Sequence, residues 1–354
     1  MAPQPAEADD QDLALPPELE AAIAEAVAVL AAGGVVALPT ETVYGLAADA
    51  ANPAAVERIF AVKGRPAGHP LIVHLAGVDQ VAAWADLDPG QAAQVDALAA
   101  AFWPGPLTIV VPRSDRVAPQ TVGGRSTVGL RVPDHPVALA VLRRFGGGLA
   151  APSANRFGKV SPTTAAHVRH DLGDAVDVVL DGGPTRVGVE STIVELGPGG
   201  PTLLRPGGVS LEQLTAVLGV PVHDGRAGPS RASGMLRSHY APAAAVELVA
   251  ADRLASRIEE LAAGAPATVG LIVPDGVVDL DEVSDQAADP EPDRPTWRLP
   301  ARAEGFAAGL YDALRRADEA GVKRLLVVPP AEGELLDAVL DRLTKAAAPR
   351  PRDG

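Results

Sequence analysis

The chain reads as an α/β protein with one main sheet and a second, smaller α/β domain. Two patterns predict this. Short apolar runs of strand length alternate with amphipathic stretches of helix length from residue 16 to about 220. A stretch rich in Gly, Ser and Arg, 223–245, interrupts that alternation, and a second alternation follows over 246–346.

The elements follow in order. Over 16–32, Leu19, Ile23, Ala26, Val27 and Leu30 share one helical face, with Pro16 and Pro17 at its start and Gly33-Gly34 at its end. Val35–Leu38 is a short buried strand. Further strands are expected at Leu71–Leu75, Leu107–Val111, Val128–Val132, Val176–Leu180, Thr192–Leu196 and Thr202–Leu204. Helices are expected near 53–62, 89–102, 134–145 and 163–172. In the second part, Val246–Val249, Val269–Val273 and Arg324–Val328 are strands. Residues 251–263, 302–320 and 332–346 are helices there, and 279–296 is an acidic loop containing Pro. The domains are thus 16–222 and 246–346, joined by 223–245, with tails at 1–15 and 347–354. The pattern leaves the order of strand pairing open.

Composition narrows the function classes. A hydrophobic share of 47% supports buried cores, and with 3% aromatics those cores are mostly Ala, Val and Leu. The absence of cysteine excludes disulfides, thiolate zinc sites, iron–sulfur clusters and a Cys nucleophile. A net charge of −15 argues against gripping nucleic acid over the whole surface. Residues 1–20 hold six acids and no Lys or Arg, so no signal peptide is expected there. The apolar runs are too short and too broken by Gly and Pro to span a bilayer, and the cytoplasm is the expected compartment.

Candidate chemistry gathers where polar residues sit between Pro and Gly at strand ends. Pro39-Thr40-Glu41-Thr42-Val43-Tyr44-Gly45-Leu46 follows the first strand, where ligands of open α/β sheets bind. Its hydroxyls suit a small polar substrate, and the plainer account is a helix N-cap, with Thr40 or Thr42 capping the next turn. Lys63-Gly64-Arg65-Pro66, then His69 and Pro70 to His74, place a point charge and a planar fork in a loop suited to polyphosphate. The plainer account is a solvated basic loop with a structural His74. Arg131, inside Thr127-Val128-Gly129-Leu130-Arg131-Val132-Pro133, needs an acidic partner, which is either a substrate carboxylate or an internal carboxylate. Pro152-Ser153-Ala154-Asn155, then Gly158-Lys159 and Ser161-Pro162-Thr163-Thr164, suit a phosphate cradle at a helix start, or simple capping. Glu190-Ser191-Thr192 and Leu204-Arg205-Pro206-Gly207 are weak signals singly. Between 58 and 169, twelve Lys and Arg stand against six Asp and Glu, which points to an anionic ligand in one groove of an acidic protein. His167 and His170 lie three apart on a helix, which suits a solvated face better than a metal site.

PTETVYGL, KGRP with HPLIVH, FWPGPLT, TVGLRVP, PSAN with SPTT, VESTIV and LRPG occur here in one order. Together they resemble the threonylcarbamoyl-AMP synthase family, built on a YrdC-like domain, over roughly residues 16–220. The segment SGMLRSHYAP and the second α/β pattern are similar to its long, two-domain form. The resemblance implies a twisted open mixed sheet with a basic concave groove, followed by a smaller Rossmann-like domain. It implies that L-threonine, bicarbonate or CO2, and ATP give L-threonylcarbamoyladenylate and pyrophosphate. A partner tRNA threonylcarbamoyl transferase would then use the product beside the anticodon, with at most weak tRNA binding by this chain. Lys63, Arg65, Ser153 and Asn155 match the catalytic tetrad around the phosphates. His69, Thr127, Ser161, Arg205 and Tyr240 match ATP contacts. Thr42, His74, Arg131, Ala151 and Ser191 would form the threonine pocket. Magnesium is expected with the triphosphate, and no carboxylate cluster in the sequence identifies protein ligands for it. Residues 223–245 have the length and Gly/Ser content to act as a lid carrying Arg237, His239 and Tyr240, or as a passive tether. Two other readings are a carbamoyl-adenylate-forming maturation enzyme, disfavoured by the lack of cysteine, and a non-catalytic RNA-binding or ribosome-associated module.

Overall fold

The computed structural model describes residues 16–226, 240–262, 268–277 and 294–349. The first part runs α1 (Pro17–Ala31), β1 (Val36–Leu38), β2 (Gly45–Asp49), α2 (Pro53–Lys63), β3 (Ile72–His74), α3 (Val81–Trp84) and α4 (Pro89–Phe102). It continues β4 (Leu107–Pro112), β5 (Thr127–Arg131), α5 (Pro136–Phe145), β6 (Leu149–Ala150), α6 (Ala165–Leu172), β7 (Val178–Val179), β8 (Thr192–Gly197), β9 (Gly200–Arg205), α7 (Leu211–Leu218) and β10 (His223–Asp224). Among the described residues these strands form one ten-stranded mixed sheet, ordered β10-β9-β8-β4-β5-β3-β6-β2-β1-β7.

Local chemistry fixes the helix starts. Asn52 caps α2 by accepting from the amides of Ala54 and Ala55. Asp88 with Gln91, and Ser210 with Gln213, form reciprocal capping boxes on α4 and α7. Arg144 on α5 pairs with Glu20 on α1, and the apolar faces of these two helices cover one side of the sheet through Ile23, Leu30, Val137 and Val141.

The second part holds β11 (Ala245–Leu248), α8 (Leu254–Ala262), β12 (Val269–Pro274), β13 (Thr296–Leu299), α9 (Ala303–Glu319), β14 (Arg324–Val327) and α10 (Leu336–Ala347). Its strands pair in parallel in the order β11-β14-β12-β13. This is the smaller α/β domain that the alternation predicts.

The elements depart from expectation in a few places. β2 and β6 give no strand signal because their residues are mostly small and β6 has two residues. The run 176–180 is a strand at Val178–Val179, with the Asp177 and Leu180 amides bonding to the Val35 and Ala37 carbonyls on either side, while Val176 closes a turn onto Gly173. His223 and Asp224, grouped above with the connecting segment, add an edge strand to β9. The acidic loop over 279–296 ends in β13, and 278–293 lies outside the described residues.

The two domains share a core. Val43, Val160 and Val189 pack in one apolar cluster with Phe306 and Tyr311 of α9 and Leu343 of α10. Arg315 of α9 forks onto Asp171 of α6 at 2.9 and 2.6 Å. Gly188 lets the two backbones touch: it adopts φ +79°, and a Cβ there would lie 2.3 Å from the carbonyl oxygen of Ala307. Gly188→Ala should therefore destabilise the protein by about 1–3 kcal/mol in a urea titration. Gly199→Ala, where a Cβ meets nothing within 4 Å, should stay within about 0.5 kcal/mol of wild type.

Candidate active site

One cavity opens where the ends of β3, β5, β8 and β9 approach the turn after β1. Thr40, Thr42, Arg65, His74, Arg131, Ala151, Ser153, Glu190, Ser191, Arg205 and Tyr240 line it.

The turn after β1 is a hydroxyl-bonded bend, and the helix cap weighed above does not form. Thr40 Oγ1 donates to the Val43 carbonyl at 2.6 Å and accepts from the Thr42 and Val43 amides at 3.2 Å. That leaves Thr42 Oγ1 to accept from Arg131 at 2.8 Å.

The parallel register of β3 and β5 sets His74 directly beside Arg131. Arg131 also meets Glu41 Oε1 at 2.6 Å, so the internal carboxylate partner left open by the sequence is Glu41. Burial, then the Arg131 charge, pushes the His74 imidazole down to about 3, so it is neutral at pH 7. Among the described residues its Nδ1 has no hydrogen-bond partner.

Gly64 ends α2 in the left-handed region at φ +61°, and the chain turns back so that the Arg65 amide bonds the Phe60 carbonyl. This buries both Lys63 and Arg65. Lys63 Nζ does not line the cavity. It donates to the carbonyls of Ser153 and Asn155, the latter at 2.5 Å, and so holds the 152–155 loop in place. Burial, with Arg65 nearby, lowers the Lys63 pKa well below its ordinary value. The same burial brings Arg65 to about 10. Asn155 Nδ2 braces the loop further through the carbonyls of Arg156 and Lys159.

Opposite, Arg205 donates through Nε to the Ser191 carbonyl at 2.9 Å and through Nη2 to Ser191 Oγ at 3.0 Å. Ser191 Oγ also pairs with Thr108 Oγ1 at 2.8 Å. Ser161 sits one layer back and donates to Glu190 Oε1 at 2.6 Å. His69 packs tilted against Phe157, with ring centres 5.4 Å apart, and Arg65 lies over the same Phe157 ring. Thr127 starts β5, apart from the cavity wall. Tyr240 is buried in the wall, whereas Arg237 and His239 lie outside the described residues.

The cavity therefore brings together Thr42, Arg65, His74, Arg131, Ala151, Ser153, Ser191, Arg205 and Tyr240. Sequence reasoning gave no role to Glu41 or Glu190, or to Tyr311 and Arg342 of the second domain. Tyr311 donates to Glu190 Oε2 at 2.9 Å, and Arg342 Nε to the same oxygen at 2.7 Å. Desolvation would raise the Glu190 pKa, but Arg342, Arg205 and the Ser161 hydroxyl together hold it at about 2. An amphipathic helix with one Arg in its buried stripe is the available signal for Arg342.

A family model described as "Telomere recombination" matches residues 28–207, and one described as "Threonylcarbamoyl-AMP synthase, C-terminal domain" matches 209–348. The threonylcarbamoyl-AMP synthase of Bacillus subtilis is 40% identical over 339 residues, covering 93% of each chain. That of Pyrococcus abyssi is 42% identical over 328 residues, covering 90% of this chain and 92% of its own. This chain belongs to the two-domain threonylcarbamoyl-AMP synthase family. A solved structure of P. abyssi Sua5 complexed with L-threonine superposes with a TM-score of 0.80 at 39% identity, covering 92% of this chain and 94% of that one. The family's YrdC-like mixed sheet and smaller second domain are thus the architecture seen here. No helix among the described residues is long and apolar enough to cross a membrane.

The buried neutral His74 makes a stability prediction. Its folded pKa lies below its unfolded value near 6.5. The unfolded chain therefore binds the extra proton first, and stability falls as pH drops from about 6.5 towards 3. Between pH 6 and 4.5, wild-type stability should fall more steeply than that of His74→Gln, by about 1.4 kcal/mol per pH unit. Urea titrations of both proteins at several pH values check this.

Proposed function

We propose that the protein is an L-threonylcarbamoyladenylate synthase, converting L-threonine, bicarbonate or CO2, and ATP into threonylcarbamoyl-AMP and pyrophosphate. The observation that carries this reading is the convergence of three arginines, Arg65, Arg131 and Arg205, with Thr42, Ser153 and Ser191 in one cavity of an acidic protein. Family membership supports the nucleotidyltransferase chemistry. The relative solved with L-threonine supports the amino-acid substrate.

The chemistry needs charge stabilisation more than a protein nucleophile. The threonine amine attacks CO2, forming a C–N bond and releasing a proton, and the product carbamate is labile in water. A carbamate oxygen then attacks the α-phosphorus. The bond to the bridging oxygen breaks, and pyrophosphate leaves with the electron pair. Negative charge grows on the phosphate oxygens, where preorganised cations lower the barrier. Arg65 and Arg205, with Ser153, face those oxygens in this reading, and Lys63 and Asn155 keep the 152–155 loop in position. His69, Thr127, Ser161 and Tyr240 are assigned to the ATP side. Arg131, with Nη2 held by Glu41 and Thr42 and Nε by the Gly105 carbonyl, takes the threonine carboxylate on the remaining side of its planar guanidinium, flanked by Thr42, neutral His74, the Ala151 backbone and Ser191.

Magnesium enters with the ATP. Among the described residues no group of three His, Asp or Glu could hold a metal ion, and Glu190 is committed to Ser161, Tyr311 and Arg342. The described residues do not build a protein-held metal site. A transferase partner acting on tRNA consumes the adenylate. A non-catalytic RNA-binding role is not favoured, because these arginines are buried in a cavity and the chain is strongly acidic.

Mass spectrometry of a reaction with threonine, bicarbonate and ATP should find the adenylate, and pyrophosphate release should require threonine and bicarbonate together. Pyrophosphate release without either one would sink the assignment. Threonine should outcompete serine by a factor worth about 1–3 kcal/mol, the value of one contacted methyl group. Arg131→Lys keeps the charge but loses the fork. It should raise the threonine KM at least tenfold while ATP affinity, read by calorimetry, changes less than threefold. Equal losses in both would place Arg131 in a purely structural pair with Glu41.

A further inference from the structure

Arg342 lies on α10, in the second domain, and its side chain has no solvent exposure. The reaction proposed above gives it no part, yet it reaches the cavity wall. Its Nε donates to Glu190 Oε2 at 2.7 Å. Its Nη2 donates to two backbone carbonyls, Glu190 at 3.3 Å and Pro206 at 3.0 Å. Its guanidinium carbon lies 5.2 Å from the centre of the Tyr240 ring.

Those acceptors are adjacent in sequence to cavity residues. Glu190 precedes Ser191, and Pro206 follows Arg205. One planar group thus spans the start of β8 and the end of β9, whose side chains Ser191 and Arg205 bond to each other across the cavity wall. It also supports one face of the Tyr240 ring, which packs against Tyr311 at 5.9 Å. A lysine ammonium could meet Glu190, but it lacks the fork that satisfies a carboxylate and two carbonyls in one plane.

We propose that Arg342 is a positioning residue of the cavity: through it the second domain sets the spacing of the 190–191 and 205–206 segments and the seat of Tyr240, and so shapes the side that receives a nucleoside triphosphate. This rests on the synthase reading for the identity of the ligand. The groups facing Glu190 are Ser161 from the loop before α6, Tyr311 from α9, Arg342 from α10 and Arg205 from β9. Asp341 pairs with Arg342 on its other side and is itself held by Lys345 at 2.8 Å.

The test separates positioning from mere charge balance. Arg342→Met leaves Glu190 buried without its main cation and should melt lower than wild type. The double variant Arg342→Met with Glu190→Gln removes both charges and should regain most of the melting temperature. If Arg342 positions the two carbonyls, that double variant still binds ATP at least tenfold more weakly than wild type by calorimetry, as does Arg342→Lys. Recovery of ATP affinity together with melting temperature, or wild-type affinity in Arg342→Lys, overturns the proposal. Hydrogen exchange at the amides of 191–192 and 207–208 reads the same geometry without any ligand. It should quicken at least threefold in Arg342→Lys, and unchanged exchange counts against the proposal. Wild-type adenylate synthesis, measured alongside, shows separately whether the reaction assignment holds.

Discussion

Burying an ionised carboxylate is costly unless every lone pair finds a donor and the charge finds a cation. Glu190 meets that condition only because two domains contribute. Ser161 belongs to the first domain, and Tyr311 and Arg342 belong to the second. Separating the domains would take the Tyr311 and Arg342 donors away from Glu190 and leave it with Ser161. The close approach of Gly188 to α9 and the Arg315–Asp171 fork act in the same direction. The joint between domains and the wall of the cavity are therefore one structure. A change at the joint is a change at the site.

The second constraint is the concentration of positive charge. Lys63, Arg65 and Arg205 are all buried, and burial is the first reason each is less basic than its free side chain. Within the cavity wall Glu190 is the carboxylate, and it is already committed to Arg342. Arg131 is balanced by Glu41 just behind the wall. The balance left for a bound molecule is positive, although the chain as a whole carries −15. Fixed cations in a site of low water content interact strongly with an anion and need little reorganisation. Backbone carbonyls that take up the Lys63 ammonium substitute for the missing counter-charges and hold a loop at the same time.

Much of this was legible in the sequence because the signals were local. Strands β4, β5, β8 and β9 are apolar runs of the right length, and the proline- and glycine-bounded motifs at their ends mark the cavity's polar groups. The failures have physical causes. β2 reads GLAAD, whose small residues give no period, and β6 is too short for one. α7 carried a readable Ser210–Gln213 capping box that periodicity alone passed over. Arg131 could not be divided between a substrate and an internal partner, because its distance to Glu41 is set by the β3–β5 register and the bend after β1. Tyr311 and Arg342 were invisible as wall-supporting residues because they lie 121 and 152 positions from Glu190.

Tyr240 shows how the second domain completes the wall. Its φ of +59° is unusual for a bulky side chain and costs about 1–3 kcal/mol. Such a conformation persists only where surrounding contacts over-determine it. Tyr240 is 1% exposed, stacked at 24° on Tyr311 and placed over the Arg342 guanidinium. Both supports come from helices of the second domain, while the ring itself lines the cavity of the first. The labile carbamate in the proposed reaction needs a site that excludes water. An aromatic ring held in a strained conformation by a separate domain supplies such a wall without adding a charge among the arginines. The first domain thus provides the cations and the second provides the closure, and the two meet at Glu190.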